Sequence, residues 1–374
     1  MSARAGLEDR PGRVLHLIAT LEGGGAERQL SYLAPELHRR GWEVTVGVLR
    51  MGVNAVHLTD SGVHIARLTR GSTKDPRNLL ELIGLIRRFG PDLVQTWLPY
   101  MDIVGGLAAT MMHVPWVASE RTDPSVQRPH LRFRYRERRI LGKAQAVIVN
   151  SERAAEYFRD HDQSGEPFFV ANGLALEQLR LIPLADREAL EVADDAPFAV
   201  VAGRLDPEKD MGTFVTALSL LHGAVKSAQA AIFGEGPCRA SLEGMVGELG
   251  IANRVRFAGY VDNLPAWIKA ADVVVSSSLV EGSPNVVLES MACGTPLVLS
   301  DIRPHRFLAD GAALFFPRGD ARALAECLTS VLEDPEEADH RAKIANERVA
   351  KFSVGAMTAR YEEIYRAIMA GQLR

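Results

Sequence analysis

Two glutamates, Glu281 and Glu289, bracket the segment Gly282-Ser283-Pro284-Asn285-Val286-Val287-Leu288. A run suited to a buried parallel strand, Asp272-Val273-Val274-Val275-Ser276-Ser277, comes just before them. Ser283 is a residue type that caps helices, and Pro284 suits the first helical position, where a missing N–H costs nothing. The helix is expected to run to about Ala292 and stop at Gly294, ahead of a new strand, Leu297-Val298-Leu299. Glu281 then lies in the strand-to-helix loop and Glu289 in the second helical turn. Between them stand the backbone N–H groups of a helix N-terminus, a ready anion site. Carboxylates on both sides of a phosphate-sized cradle suit a ligand with hydroxyl-rich rings flanking a diphosphate, such as a nucleotide-sugar. The same residues would also make a capping loop with two solvated glutamates.

A second loop of the same kind is Gly203-Arg204-Leu205-Asp206-Pro207-Glu208-Lys209-Asp210. Arg204 offers a planar fork and Lys209 a point charge, and together they suit a diphosphate, including the charge that develops as one departs. A surface ion-pair loop is the plainer alternative. Gly234-Glu235-Gly236-Pro237 follows a further strand and is expected to let a ligand come close to the backbone. Tyr260, after Gly259, is placed to frame a flat base or simply to pack. In the first half, Gly23-Gly24-Gly25 joins the strand Val14–Ala19 to a helix starting near Ala26. This is not the dinucleotide fingerprint GxGxxG, which needs a later glycine that is missing here.

These loops need strands to hold them, and strand-like and helix-like stretches alternate along the whole chain. Strands are expected at Val44–Leu49, Leu93–Thr96, Trp116–Ala118 and Val147–Val149, with helices at Leu79–Phe89, Ile103–Met112 and near 131–141. After the turn Asn172-Gly173 a second series begins: Phe198–Ala202, Gln229–Phe233, Arg254–Ala258, Val273–Ser276, Leu297–Leu299 and Ala313–Phe316. The expected fold is α/β, with two Rossmann-like doubly wound parallel-sheet domains facing a central cleft. The domains are placed at residues 1–175 and 176–354. A final helix within 355–374, carrying Met357, Tyr361, Ile364, Tyr365 and Ile368, is expected to pack back on the first domain.

Composition limits the function classes. The chain has 374 residues, 47% hydrophobic and 24% charged, with a net charge of −4, which argues against bulk nucleic-acid binding. Residues 1–180 hold 24 Lys/Arg against 20 Asp/Glu, and the remainder holds 19 against 27, so any anionic partner would meet the first half. Cys238, Cys293 and Cys327 lack CxxC spacing and read as reduced, buried thiols. The first ten residues show no apolar h-region, and no run is long and apolar enough to span a membrane. Asp160-His161-Asp162 is the one Asp-x-Asp, and it reads as solvated surface rather than a metal site.

Taken as an ordered set, Gly203-Arg204…Lys209, Gly234-Glu235-Gly236-Pro237 and the Glu-x7-Glu segment Glu281–Glu289 resemble retaining glycosyltransferases of family 4, which have the GT-B fold. Gly23-Gly24-Gly25-Ala26-Glu27-Arg28 is similar to that family's acceptor-side loop, and Asn172-Gly173 to its interdomain linker. The resemblance covers roughly residues 13–370. It implies that Glu289 binds the ribose hydroxyls and that Glu281 faces the donor sugar. Arg204 and Lys209 would hold the diphosphate with the backbone amides of Asn285 and Val286, and no metal or other cofactor is implied. Many relatives carry a His after the strand that here is Trp116-Val117-Ala118. This chain has Ser119-Glu120-Arg121-Thr122-Asp123-Pro124 instead, which makes Glu120 the candidate for sugar or acceptor contact and Arg121 for phosphate.

The implied activity is metal-independent transfer of a hexosyl or N-acetylhexosaminyl group from a nucleoside-diphosphate sugar, more readily uridine- than guanosine-linked. The acceptor would be a hydroxyl of a lipid-diphosphate-linked saccharide in cell-surface glycan assembly. A nucleotide-sugar epimerase of the same architecture and a non-catalytic nucleotide-sugar-binding protein are the rival classes. The run Arg128, His130, Arg132, Arg134, Arg136, Arg138, Arg139 and Lys143, interleaved with apolar residues, suits an anionic membrane surface, each cation adding about 1 kcal/mol. A cytoplasmic protein peripheral to the inner face of the membrane is the corresponding expectation. No nucleic-acid reading motif accompanies the basic run.

Overall fold

The computed structural model describes residues 11–69, 72–73, 75–121, 140–161 and 166–373. The basic residues Arg128 to Arg139 and most of the helix expected near 131–141 lie outside them. The chain forms two compact units, Met1–Gly173 with Phe352–Arg374, and Leu174–Lys351.

The first unit is built on strands β1 (Arg13–Thr20), β2 (Glu43–Arg50), β3 (His64–Arg67), β4 (Leu93–Trp97), β5 (Trp116–Glu120), β6 (Ala146–Val149) and β7 (Phe168–Phe169). Helices α1 (Gly25–Arg39), α2 (Ala55–Asp60), α3 (Asn78–Phe89), α4 (Leu98–Met111) and α5 (Glu152–His161) connect or follow them. All seven strands are parallel, in the order β3-β2-β1-β4-β5-β6-β7. Central strands covered on both faces are mostly apolar, and Val14, Leu15, Leu17 and Ile18 of β1 are fully buried, with the buried His16 among them. The sequence gives no comparable signal for β3, a four-residue edge strand whose residues are only partly covered.

The second unit repeats the scheme with β8 (Phe198–Ala202), β9 (Gln229–Phe233), β10 (Val255–Gly259), β11 (Val273–Ser276), β12 (Leu297–Ser300) and β13 (Leu314–Phe316). Its helices are α6 (Leu176–Leu181), α7 (Met211–Leu220), α8 (Arg239–Glu248), α9 (Leu264–Ala270), α10 (Asn285–Cys293), α11 (Arg303–Ala309), α12 (Ala321–Glu333) and α13 (Pro335–Arg348). The strands are again parallel, in the order β10-β9-β8-β11-β12-β13.

In each sheet the strand order reverses once, between β1 and β4 and between β8 and β11. Chains leaving two such neighbours turn to opposite sides, which opens a crevice at their carboxyl ends where ligands bind in doubly wound sheets. The β8 and β11 exits carry the Arg204–Lys209 loop and the Glu281 loop.

The final helix, Val354–Met369, belongs to the first unit. Ser353 caps it by accepting from the Ala356 amide at 3.1 Å. Met357, Tyr361, Ile364, Tyr365 and Ile368 join a core with Val14, Ile18, Leu30 and Trp42, each burial worth roughly 2 kcal/mol. Glu362 receives the Trp42 indole N–H and the Arg40 guanidinium, both at 2.8 Å, which gives a buried carboxylate its compensation.

Candidate active site

The β8 and β9 exits lie backbone against backbone. The Gly203 amide donates to the Phe233 carbonyl at 3.0 Å and the Leu205 amide to the Glu235 carbonyl at 2.9 Å. A Cβ on Gly234 would stand 1.9 Å from the Gly203 carbonyl oxygen, and one on Gly236 would stand 2.3 Å from that of Leu205. On the side a Cβ would occupy, the space these glycines leave is taken by the neighbouring loop. Past this contact the chain makes a tight turn over Pro207–Lys209 and enters α7 through Asp210, which is left-handed at φ 45°. A non-glycine residue in that region is strained unless its surroundings hold it, and the Asp210 carboxylate accepts from Thr213 Oγ1 at 2.6 Å.

That turn presents Lys209. Its Nζ lies 2.5 Å from Glu281 Oε1, so the two chemically important loops meet through an ion pair. Ser278 Oγ donates to the same oxygen at 2.7 Å, and Ser277 Oγ donates to the Lys209 carbonyl at 3.0 Å. The Leu279 amide reaches the Glu208 carbonyl at 2.8 Å. The Lys209 side chain keeps 25% of its exposure and Glu281 keeps 11%, so the ammonium is screened but reachable. Arg204 is not brought to this pair. It is 74% exposed and bonds Asp206 at 2.6 Å.

The helix opening beyond Glu281 differs by one position from the sequence expectation. Ser283 is not the cap; Pro284 is, and α10 begins at Asn285. The reason is backbone geometry. Pro284 has ψ 88°, outside the helical range, and its carbonyl already accepts from the Val287 and Leu288 amides. The amides of Asn285 and Val286 thus open the helix. Glu289 follows in its second turn and is 95% covered, with 5% exposure. Gly294 closes the helix at φ 72°. Tyr260 stands 72% exposed beyond β10, two strands away from β8 in the sheet order.

In the first unit the loop after β1 carries Gly23, Gly24 and Gly25. Glu27, in the first turn of α1, is buried, and its carboxylate lies over Gly24, where a Cβ would meet Oε2 at 2.1 Å. Burial raises the Glu27 carboxyl above its ordinary value. Glu120 ends β5 with 1% exposure and accepts from the Arg121 amide at 3.1 Å. The Arg121 guanidinium is engaged within the unit. It donates to Asn172 Oδ1 at 2.9 Å and to the Tyr361 hydroxyl, and it lies 4.9 Å from the centroid of the Trp97 ring. These contacts tie the β5 exit to the final helix.

Among the described residues no three His, Cys, Asp or Glu side chains gather as a metal site. Asp160 is exposed at the end of α5, and Asp162 lies outside the described residues. The three cysteines are free and partly buried, and burial pushes the Cys293 thiol up to about 12. Four residues of the site escaped the sequence reading: Ser277, Ser278, Ser300 and His305. The serine run closing the β11 strand was the available signal, but nothing local marks Ser300 or His305.

Comparison with known proteins fits this geometry. Residues 23–178 match the family model described as Glycosyltransferase Family 4, and residues 184–348 match the one described as Glycosyl transferases group 1. The lipopolysaccharide core biosynthesis glycosyltransferase LpsE of Rhizobium meliloti (strain 1021) is 27% identical over 351 residues, 91% of this chain and 95% of that one. LpsD of the same strain, with the same description, is 25% identical over 359 residues, 94% and 98% of the two chains. The solved structure of Anabaena Alr3699/HepE in complex with UDP and glucose aligns with a TM-score of 0.81 at 21% identity, over 94% of this chain and 99% of that one. The two family models cover successive stretches of a single chain, and the protein is a glycosyltransferase of GT-B fold with a family 4 domain followed by a group 1 domain.

Proposed function

We propose that this glycosyltransferase moves a hexosyl or N-acetylhexosaminyl group, with retention, from a uridine-diphosphate sugar to a hydroxyl of a lipid-linked saccharide in lipopolysaccharide or related surface-glycan assembly. The observation that carries the donor site is the Lys209–Glu281 pair at the strand reversal of the second unit, 2.5 Å across, beside the N-terminus of α10. Without a ligand Lys209 is held by a carboxylate; with one, its charge and the amides of Asn285 and Val286 face the diphosphate. As the bond from the anomeric carbon to the diphosphate oxygen breaks, negative charge grows on that oxygen, and Lys209 offsets it, joined by Arg204 once its exposed side chain turns from Asp206 to the phosphate. The acceptor oxygen bonds to the anomeric carbon on the same face and its proton passes to the departing diphosphate. These cations neutralise the leaving group without a metal ion. Glu281 then faces the donor sugar and Glu289 the ribose hydroxyls.

UDP and glucose in HepE support the uridine donor, and the names of LpsE and LpsD support the polysaccharide setting. No helix among the described residues is long and apolar enough to cross a membrane, so a lipid-linked acceptor would be met through surface contact. The basic residues between Arg128 and Lys143 supply that contact on the cytoplasmic face in this reading. Calorimetric titration of UDP and GDP into the protein tests the donor site, with Glu289→Ala as control. UDP binding weakened at least about tenfold in the variant is expected. Failure of both nucleotides to bind would remove the donor assignment.

A further inference from the structure

We propose that Ser278, fixed by Ser300 and His305, is a positioning residue that sets the orientation of Glu281 and, through it, of Lys209. The inference rests on the donor-site reading above.

The chain leaves β11 through Ser276-Ser277-Ser278, and each hydroxyl has a partner elsewhere, while the Ser276 and Ser278 hydroxyls also lie 3.4 Å from each other. Ser276 Oγ lies 3.2 Å from His305 Nε2, Ser277 Oγ donates to the Lys209 carbonyl at 3.0 Å, and Ser278 Oγ donates to Glu281 Oε1 at 2.7 Å. Ser300, the last residue of β12, donates its hydroxyl to the Ser278 carbonyl at 2.6 Å. His305 Nδ1 in turn sits 2.9 Å from the Ser300 carbonyl oxygen and 3.2 Å from its hydroxyl.

The protons in this chain have one consistent assignment. A carbonyl oxygen only accepts, so His305 Nδ1 carries the ring proton. Nε2 then accepts, and the Ser276 hydroxyl donates to it. The Ser300 proton is used on the Ser278 carbonyl and the Ser278 proton on Glu281. Exposure is 1% at Ser277, 2% at Ser278 and 0% at Ser300 and His305, so water offers no substitute partner. Losing the Ser300 hydroxyl would leave the Ser278 carbonyl without that partner in a buried position, which favours a single arrangement.

Glu281 Oε1 thus takes both Ser278 and Lys209, which leaves Oε2 as the oxygen that neither of them holds. Lys209 alone would not fix the carboxylate, because an ammonium follows a rotating partner. The serine hydroxyl adds direction but no charge. Its removal should therefore act on the geometry of turnover rather than on affinity for the nucleotide.

The test measures UDP affinity by calorimetry and UDP release from a panel of UDP-sugars, with acceptor or by slow hydrolysis without it. Wild type is compared with Ser278→Ala, Ser278→Thr and Ser300→Ala. Ser278→Ala should lower kcat about tenfold or more, with the UDP Kd within about threefold of wild type. Ser278→Thr, which keeps the hydroxyl, should recover most of the rate, and Ser300→Ala should show a smaller loss in the same direction. If Ser278→Ala does not fold, Ser300→Ala decides. Wild-type kcat in both alanine variants, equal loss in the alanine and threonine variants, or a loss that tracks UDP affinity would overturn the proposal. A wild-type protein that neither binds UDP nor releases it from any donor would overturn the donor-site reading and this inference with it. That result is distinct from an active wild type with an insensitive Ser278.

Discussion

The two units share a strand scheme but treat the polar groups near their strand reversals differently. In the first, Arg121 is spent on its own unit: it stacks on Trp97 and bonds Asn172 and Tyr361, joining a strand exit to the final helix. In the second, Lys209 and Glu281 bond each other in a partly exposed position, and serines hold both from behind. Each unit also hides a histidine. His16 lies in the middle of β1, where its Nδ1 accepts from the Trp97 indole at 3.2 Å. His305 lies behind the Glu281 loop and is matched at both nitrogens. The same residue types stabilise one unit and aim a charge in the other. What separates them is whether the last link of the network ends in the core or at the surface.

This contrast predicts where substitutions should act. Lys209→Ala should have the largest effect, lowering sugar transfer by roughly a hundredfold or more while the fold persists. Near-normal turnover in a steady-state assay would erase the distinction between the units. Arg121→Ala should destabilise the first unit by about 2 kcal/mol, through the lost guanidinium bonds and the lost contact with Trp97, while leaving UDP affinity unchanged. Chemical denaturation followed beside calorimetry separates the two outcomes, and a drop in UDP affinity would show that Arg121 belongs to the donor site after all.

The smallest effect concerns pH. Burial lowers the His16 pKa from 6.5 to about 3, so the folded unit holds a neutral ring that the unfolded chain would protonate. Stability is therefore full above about pH 6.5 and falls as pH drops from there toward about 3. This contribution should amount to about 1.4 kcal/mol between about pH 8 and about pH 5.5. His16→Gln should flatten the slope of stability against pH over that range, as read by denaturant midpoints at several pH values. An unchanged slope would assign the acid sensitivity to other groups.

Much of the architecture was legible because buried parallel strands announce themselves as apolar runs. Val273-Val274-Val275 and Leu297-Val298-Leu299 are such runs, and the glycine at 294 marks its helix end by needing a left-handed φ. The Glu281 and Glu289 spacing was likewise visible, since a single strand–loop–helix unit fixes both residues. Edge strand β3 was not, because a partly covered strand lacks the apolar signal.

What the sequence determined by itself is therefore local: strand and helix types, the loops that follow strands, and the acid and base residues those loops carry. Tertiary structure alone decided which of them meet. It paired Lys209 with Glu281 across 72 positions of sequence and left Arg204 outside on Asp206. It also packed Gly234 against the Gly203 backbone and drew His305 behind Ser278. Such pairings depend on strand order and on the register of parallel neighbours, which are set by non-local packing and leave no periodic trace in the chain.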